Sequence, residues 1–220
     1  MLFFIDMFEH PAARAIAEGV NHFWTFDNSS EILHVIGGQF SIKKAPNNNG
    51  IILDENAKMF LYNNMAGSSF CLVTPCTSFT LALWVKLFGF SSRHILKAGD
   101  DATKNTGVFM LVNESKPDYL KIQVSNTTDT CKAMIISHKK VWTHVVVKWN
   151  DIDKLKIFKN GKIVNDDIAC KVKDNELSLN REIELSGNAG FDDLLLWNTE
   201  ISDDKVYRLY SFYRGRQNVF

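Results

Sequence analysis

The fold is predicted most directly by residues 141–164, which read VWTHVVVKWNDIDKLKIFKNGKIV. Residues 142–149 are rich in β-branched and aromatic side chains, and they alternate with the period of two that is typical of a β-strand. The alternation places Val145, Val147 and Trp149 on one face together with Thr143. It places the remaining four on the other face: Trp142, His144, Val146 and Lys148. A strand with one clean apolar row is therefore expected here.

The same segment predicts a hairpin. The dipeptide Asn160-Gly161 separates two short apolar runs, and it favours a type I′ turn because both central residues of that turn need a positive φ. Other strand-like segments lie at residues 79–87, 108–112, 119–124 and 191–197. Many short strands separated by turns indicate a β-sandwich or barrel.

Helix signals are confined to the two ends of the chain. Residues 11–18 begin at a proline, and residues 202–210 begin at Ser202, a favourable N-cap that two acids follow. No linker divides the residues between them. We therefore expect an N-terminal extension over residues 1–20, helical in part, one sandwich domain over 21–213, and a tail or linker over 214–220.

Composition argues against several functional classes. The 220-residue chain holds 25 Lys and Arg against 25 Asp and Glu, so its formal net charge is zero. Nucleic-acid-binding domains and polybasic membrane-surface modules normally carry a basic excess. No apolar run approaches the ~20 residues that span a bilayer, and the first residues lack the features of a signal peptide.

The four cysteines predict two disulfide bonds, Cys71–Cys76 and Cys131–Cys170, with free core thiols as the alternative. A zinc site would need two close cysteine pairs, and only one close pair is present. Three N-x-S/T sequons predict N-glycosylation, at Asn28, Asn113 and Asn126. Cysteines and sequons together favour an oxidising, extracellular setting.

Four segments resemble, in order and spacing, the laminin G-like domains of the concanavalin A-like jelly-roll superfamily. They read FWTFDNSS at 23–30, CLVTPCTSFTLALWVKL at 71–87, the segment 141–164 quoted above, and GFDDLLLWNTEISDDKVYRLY at 190–210. The resemblance implies a two-sheet antiparallel jelly-roll β-sandwich with a short C-terminal helix. It also implies a place in the ectodomain of a larger receptor or matrix protein.

The resemblance assigns all five tryptophans and His144 to the structural framework. Four other aromatic residues then remain as candidate ligand contacts: Tyr62, Phe88, Phe90 and Tyr119. The sequence Phe88-Gly89-Phe90 is typical of a loop, and the alternative is that its rings turn inward.

The resemblance further implies a calcium site formed by Asp27 and Asp192, with Asp193 as a neighbour. Calcium prefers several oxygen ligands, which carboxylates supply. In that resemblance Asp192 opens the final strand close to the metal. The alternative is that Asp192 caps a turn and hydrogen-bonds backbone amides without metal.

Catalysis is not expected. Glucanases of this fold carry a motif that looks like E-x-D-x-x-E on one strand. In this chain Glu182 and Glu184 stand at its first two acidic positions, and Gly187 stands where the third acid should be. The sequence therefore predicts a non-enzymatic extracellular module that binds a glycan or protein partner. The alternatives are a structural spacer, a calcium-dependent lectin and, last, a glycosidase.

Overall fold

A computed structural model describes residues 19–20, 22–27, 35–46, 48–62, 77–89, 94–100, 106–113, 115–116, 118–125, 129–150, 154–168 and 182–217. These residues form fifteen strands and one helix, α1 (Asp203–Gln217). The strands are, in chain order, β1 (His22–Trp24), β2 (Val35–Ile36), β3 (Phe40–Lys44), β4 (Asn49–Leu53), β5 (Lys58–Tyr62), β6 (Ser78–Leu87), β7 (His94–Asp100), β8 (Thr106–Val112), β9 (Tyr119–Ser125), β10 (Thr130–Ile136), β11 (Trp142–Asn150), β12 (Lys154–Lys159), β13 (Lys162–Ile168), β14 (Glu182–Ser186) and β15 (Ala189–Trp197).

The strands form two antiparallel sheets that pack face to face. Sheet A has the order β13-β12-β11-β6-β15-β4-β3, with β1 also paired to β15. Sheet B has the order β10-β9-β8-β7-β14-β5-β2. The predicted all-β, two-sheet sandwich with a C-terminal helix is therefore confirmed.

Strand β11 lies near the middle of sheet A and confirms the predicted alternation. Val145, Val147 and Trp149 are fully buried in the core between the sheets. On the other face of the same strand, Val146 joins a second apolar cluster that helix α1 covers with Val206 and Leu209. Sheet A is thus covered on both faces over part of its area, which explains the high apolar content of the strand.

Two turn predictions are confirmed by backbone geometry. Asn160 and Gly161 have φ values of 50° and 74°, as a type I′ hairpin turn requires. The hydroxyl of Ser202 accepts a hydrogen bond from the backbone N–H of Lys205 at 3.2 Å, so Ser202 is the N-cap of α1.

Two boundaries differ from the sequence prediction. Helix α1 extends to Gln217, so the predicted tail over residues 214–220 begins inside the helix. Gly215 lies within the helix, where glycine costs about 1 kcal/mol relative to alanine. Strand β15 begins at Ala189, so Asp192 lies within the strand and does not open it. The residues predicted as an N-terminal helix, 11–18, lie outside the described part of the chain.

Cys131 is disulfide-bonded and buried in β10, the edge strand of sheet B. Strand β10 lies against β13, the edge strand of sheet A, and β13 ends two residues before Cys170. Cys170, Cys71 and Cys76 lie outside the described residues, so both pairings stay predictions. A bond from Cys131 to Cys170 would join the two sheets at this edge.

Reduction of this bond is expected to lower the free energy of unfolding by roughly 2–4 kcal/mol, because a closed loop restricts the unfolded chain. Urea unfolding with and without reductant measures the loss. The double substitution Cys71→Ser and Cys76→Ser is the control, since the loss should persist in it. Equal unfolding curves for the reduced and oxidised protein would contradict the prediction.

Candidate functional site

A cross-strand row of side chains lies on the outer face of sheet A beside helix α1. Strand pairing sets Trp142 opposite Lys86, Lys86 opposite Gly190, and Gly190 opposite Ile52. The side chains of Trp142, Lys86 and Ile52 are partly exposed. The row therefore offers solvent an aromatic ring, a cation and an aliphatic group on rigid strands.

The cation of this row lies close to two aromatic rings. The Nζ atom of Lys86 is 5.7 Å from the ring centroid of Trp142 and 5.4 Å from that of Phe88. Such distances fall within the range of cation–π attraction. Phe88 follows β6 directly, and its backbone N–H donates to the carbonyl of Asn188 at 3.0 Å. The three side chains are thus positioned by neighbouring strands rather than by a long loop.

Gly190 provides space for the indole of Trp142. A Cβ atom on Gly190 would lie 3.0 Å from the indole of Trp142 and 2.5 Å from Cδ1 of Ile52. Any other residue would therefore displace one of these side chains. The missing side chain lets the Trp142 ring pack close to the backbone of β15.

The connection between β10 and β11 adds an apolar side chain and positive charge at the same end of the sheet. The backbone N–H of Lys140 donates to the carbonyl of Leu87 at 2.7 Å, which holds this connection beside Phe88. Val141 is 53% exposed, and Lys140 is also exposed. We name Lys86, Phe88, Val141, Trp142 and Gly190 together the Trp142 site.

His144, two residues after Trp142 on the same face of β11, packs next to this site. His144 is fully buried, and its ring centroid lies 5.1 Å from Trp84 and 5.9 Å from Tyr210 of α1. Burial lowers the pKa of His144 to about 3, so the ring is neutral at physiological pH. Asn160 fixes the backbone of His144, because its Oδ1 accepts the His144 N–H at 2.9 Å. This arrangement agrees with the predicted framework role of His144.

The predicted ligand aromatics do not form one group. Phe88 belongs to the Trp142 site on sheet A, whereas Tyr119 opens β9 on sheet B with Lys116 Nζ 5.4 Å from its ring centroid. Tyr62 ends β5, which three strands separate from β9, and its side chain lies outside the described part, as does Phe90. Trp142, which the resemblance assigns to the framework, packs against the second apolar cluster and keeps its side chain partly exposed.

Two of the predicted calcium ligands lie in one neighbourhood. Asp27 Oδ1 accepts the backbone N–H of Asn49 at 3.0 Å. A Cβ atom on the next residue, Gly50, would lie 3.2 Å from Cβ of Asp192. Asp192 and Asp193 are fully buried, and Asp193 has a φ of 42° at an irregularity of β15. Within the described ranges, no group of three or more His, Cys, Asp or Glu side chains could hold a metal ion.

The residues of the glycosidase alternative lie on β14 of sheet B. Glu184 is ion-paired with Lys58, whose Nζ atom lies 2.8 Å from its Oε1. The side chain of Glu182 lies outside the described residues. In the part of the chain that the structure describes, no helix is long and apolar enough to cross a membrane.

Known proteins share this sequence pattern and this fold. The laminin G family profile of the concanavalin A-like lectin/glucanases superfamily matches residues 64–207. The human adhesion G-protein coupled receptor D1 is 22% identical over 222 residues, which cover 94% of this chain and 25% of the receptor. This chain thus spans a quarter of the length of that relative.

Similar solved structures include binding domains of botulinum neurotoxins. The serotype D/C binding domain has a TM-score of 0.67 at 13% identity, over 90% of this chain and 53% of that one. The type G receptor binding domain has a TM-score of 0.65 at 10% identity, over 88% and 51%. These identities show a shared fold alone. With the family profile matching well over half of its length, the chain belongs to the laminin G family of the concanavalin A-like lectin/glucanases superfamily.

Proposed function

We propose that the chain is a non-enzymatic extracellular recognition domain that binds a glycan at the Trp142 site. The named relatives support the binding role. One is an adhesion receptor, one toxin binding domain was solved in complex with rat synaptotagmin II, and cell entry of the type C toxin depends on two ganglioside molecules. Their partners belong to those proteins, and the choice of a glycan here rests on this chain's own side chains.

The observation that carries the proposal is that Lys86 Nζ lies within about 6 Å of the ring centroids of both Trp142 and Phe88. A sugar ring has apolar C–H faces that pack on an aromatic ring, and it has hydroxyl groups around its rim. Lys86 has three N–H donors for those hydroxyls or for a carboxylate. A few polar groups placed among apolar ones are typical of small-ligand sites.

Trp142→Ala is expected to weaken glycan binding about 30-fold, the effect typical of a central aromatic contact. A glycan array identifies the ligand, and titration calorimetry with that ligand measures the change. The matched control is Tyr207→Ala, which removes an aromatic side chain that is 60% exposed on α1. Equal loss in both variants, or loss only in Tyr119→Ala, would contradict binding at the Trp142 site.

The array also separates the proposed function from its alternatives. A chain that binds no glycan but binds an ectodomain protein is a protein-recognition domain, and a chain that binds neither is a structural spacer. Hydrolysis of a β-glucan that is lost in Glu182→Gln would be required of a glycosidase.

A calcium-dependent lectin is the second candidate, and the proximity of Asp27 and Asp192 to Asn49-Gly50 favours it. Calcium at about 100 times its dissociation constant would stabilise the folded chain by about 2.7 kcal/mol. Thermal unfolding with calcium and with chelator measures this shift. An upward shift that Asp192→Asn removes would support the metal site. Identical melting curves would contradict it.

A further inference from the structure

The outer face of β10 carries neighbouring apolar side chains in solvent. Met134 and Ile136 are 54% and 41% exposed, whereas the alternate residue Ile135 is buried in the core. Ile136 pairs with Tyr119 of β9, which extends the apolar area onto the next strand. We name Tyr119, Met134 and Ile136 the β10 face. An apolar face on an edge strand promotes association unless something covers it.

Asn113 lies at the border of this face. Its backbone N–H donates to the carbonyl of Tyr119 at 2.9 Å, and its Nδ2 donates to Sδ of Met134 at 3.3 Å. Its Oδ1 accepts the backbone N–H and the hydroxyl of Ser115, at 3.0 and 3.1 Å, and the N–H of Lys116 at 3.2 Å. The amide is therefore oriented with its nitrogen toward the β10 face and its oxygen toward the turn.

We propose that Asn113 carries an N-linked glycan whose first sugars cover the β10 face. This inference rests on the extracellular location in the proposed function. In the transfer, Nδ2 forms a bond to the anomeric carbon of a lipid-diphosphate-linked oligosaccharide, the bond from that carbon to the diphosphate oxygen breaks, and the amide loses one proton. Ser115 supplies the hydroxyl that the N-x-S/T motif requires.

The position of the attachment atom favours a glycan over a separate protein as the occupant. A sugar on Nδ2 begins beside Met134, because the amide nitrogen already contacts that side chain. A covalently attached occupant has a high effective concentration at the face, so weak packing is enough to hold it there. Lys121, which pairs with Met134 across the strands, supplies donors for sugar hydroxyls at the rim.

The test uses the full chain secreted from glycosylating cells behind an added signal sequence. Peptide mass spectrometry is expected to find a glycan on Asn113, lost in Ser115→Ala and retained in Ser115→Thr. The rate at which peroxide oxidises Met134 is then measured. Oxidation should be about threefold slower with the glycan than in Ser115→Ala, since thioether oxidation increases with exposure. Met110 is fully buried and serves as the internal control.

Two results would overturn the inference. One is an Asn113 that carries no glycan in the secreted chain, whether or not Asn28 or Asn126 is glycosylated. The other is a glycan on Asn113 that leaves the oxidation rate of Met134 unchanged. Glycan binding at the Trp142 site is measured separately on Ser115→Ala, so failure here is distinguishable from failure of the proposed function.

Discussion

Lowering the pH from 6.5 to 4 is expected to reduce the free energy of unfolding by about 3 kcal/mol through His144. Burial holds the pKa of this residue at about 3 in the folded chain, against 6.5 in the unfolded chain. Between these values the unfolded chain binds a proton that the folded chain does not. The stability is therefore complete above pH 6.5 and is lost as the pH falls toward 3.

Urea unfolding at several pH values between 6.5 and 4 measures the loss, and the part of it between pH 6.5 and 5 isolates the histidine contribution. Burial also lowers the pKa of His22, so this residue adds a loss of the same sign. The pKa of Glu200 is lowered below its ordinary value of 4.5, and its contribution is lost only below that window. His144→Gln should therefore flatten the slope more than His22→Gln does. An unchanged slope in His144→Gln would contradict the prediction.

The surroundings of His144 explain why protonation is costly. Trp84 and Tyr210 lie against its ring, and their aromatic surfaces take the place of water there. The nearest acid in the same cross-strand row is Asp192, which pairs with Trp84 on the far side. Because Trp142 lies one row away on the same face of β11, acid that loosens His144 should also weaken the Trp142 site.

The strongest local patterns of the sequence predicted the framework correctly. Strand β11 was recognised because each of its faces packs against a different apolar layer, and period-two alternation reports that directly. Asn160-Gly161 and Ser202 were recognised because positive φ values and helix caps depend on the residues themselves. These features need no knowledge of the rest of the chain.

The candidate site depends on contacts that sequence patterns do not report. Trp142 lies near Lys86 and Gly190 only because β11, β6 and β15 are consecutive strands of sheet A, although Lys86 and Gly190 are about a hundred residues apart in the chain. The face of Asp192 likewise follows from pairing with β4 and β6. Strand β2 has two residues, too few for any periodic signal. The fold class was therefore predictable from the sequence, whereas the set of residues that meet at the Trp142 site was not.

Lys148→Met is expected to lower the free energy of unfolding by about 3 kcal/mol, because it breaks a buried ion pair. Lys148 is 2% exposed, and its Nζ lies 2.9 Å from Oε1 of Glu200 and 2.5 Å from Oδ1 of Asp203. Asp203 is half exposed, which places the loss at the low end of the range for buried pairs. Beside them, Thr80 donates to the carbonyl of Thr199 at 2.9 Å.

Glu200 determines how the loss can be recovered. Burial alone would raise the pKa of its carboxyl, but hydrogen bonds from Lys148 and Asn150 hold the pKa below its ordinary value. Without Lys148 the carboxylate is partly buried and poorly compensated. Adding Glu200→Gln to Lys148→Met should restore about 1 kcal/mol or more, since neighbouring charges couple by such amounts. Lys162→Met, at an exposed position, should change stability by less than about 0.5 kcal/mol. Urea unfolding of the unsubstituted chain, Lys148→Met, Glu200→Gln and the double variant measures the cycle. Additive effects of the two substitutions would contradict a stabilising pair between Lys148 and Glu200.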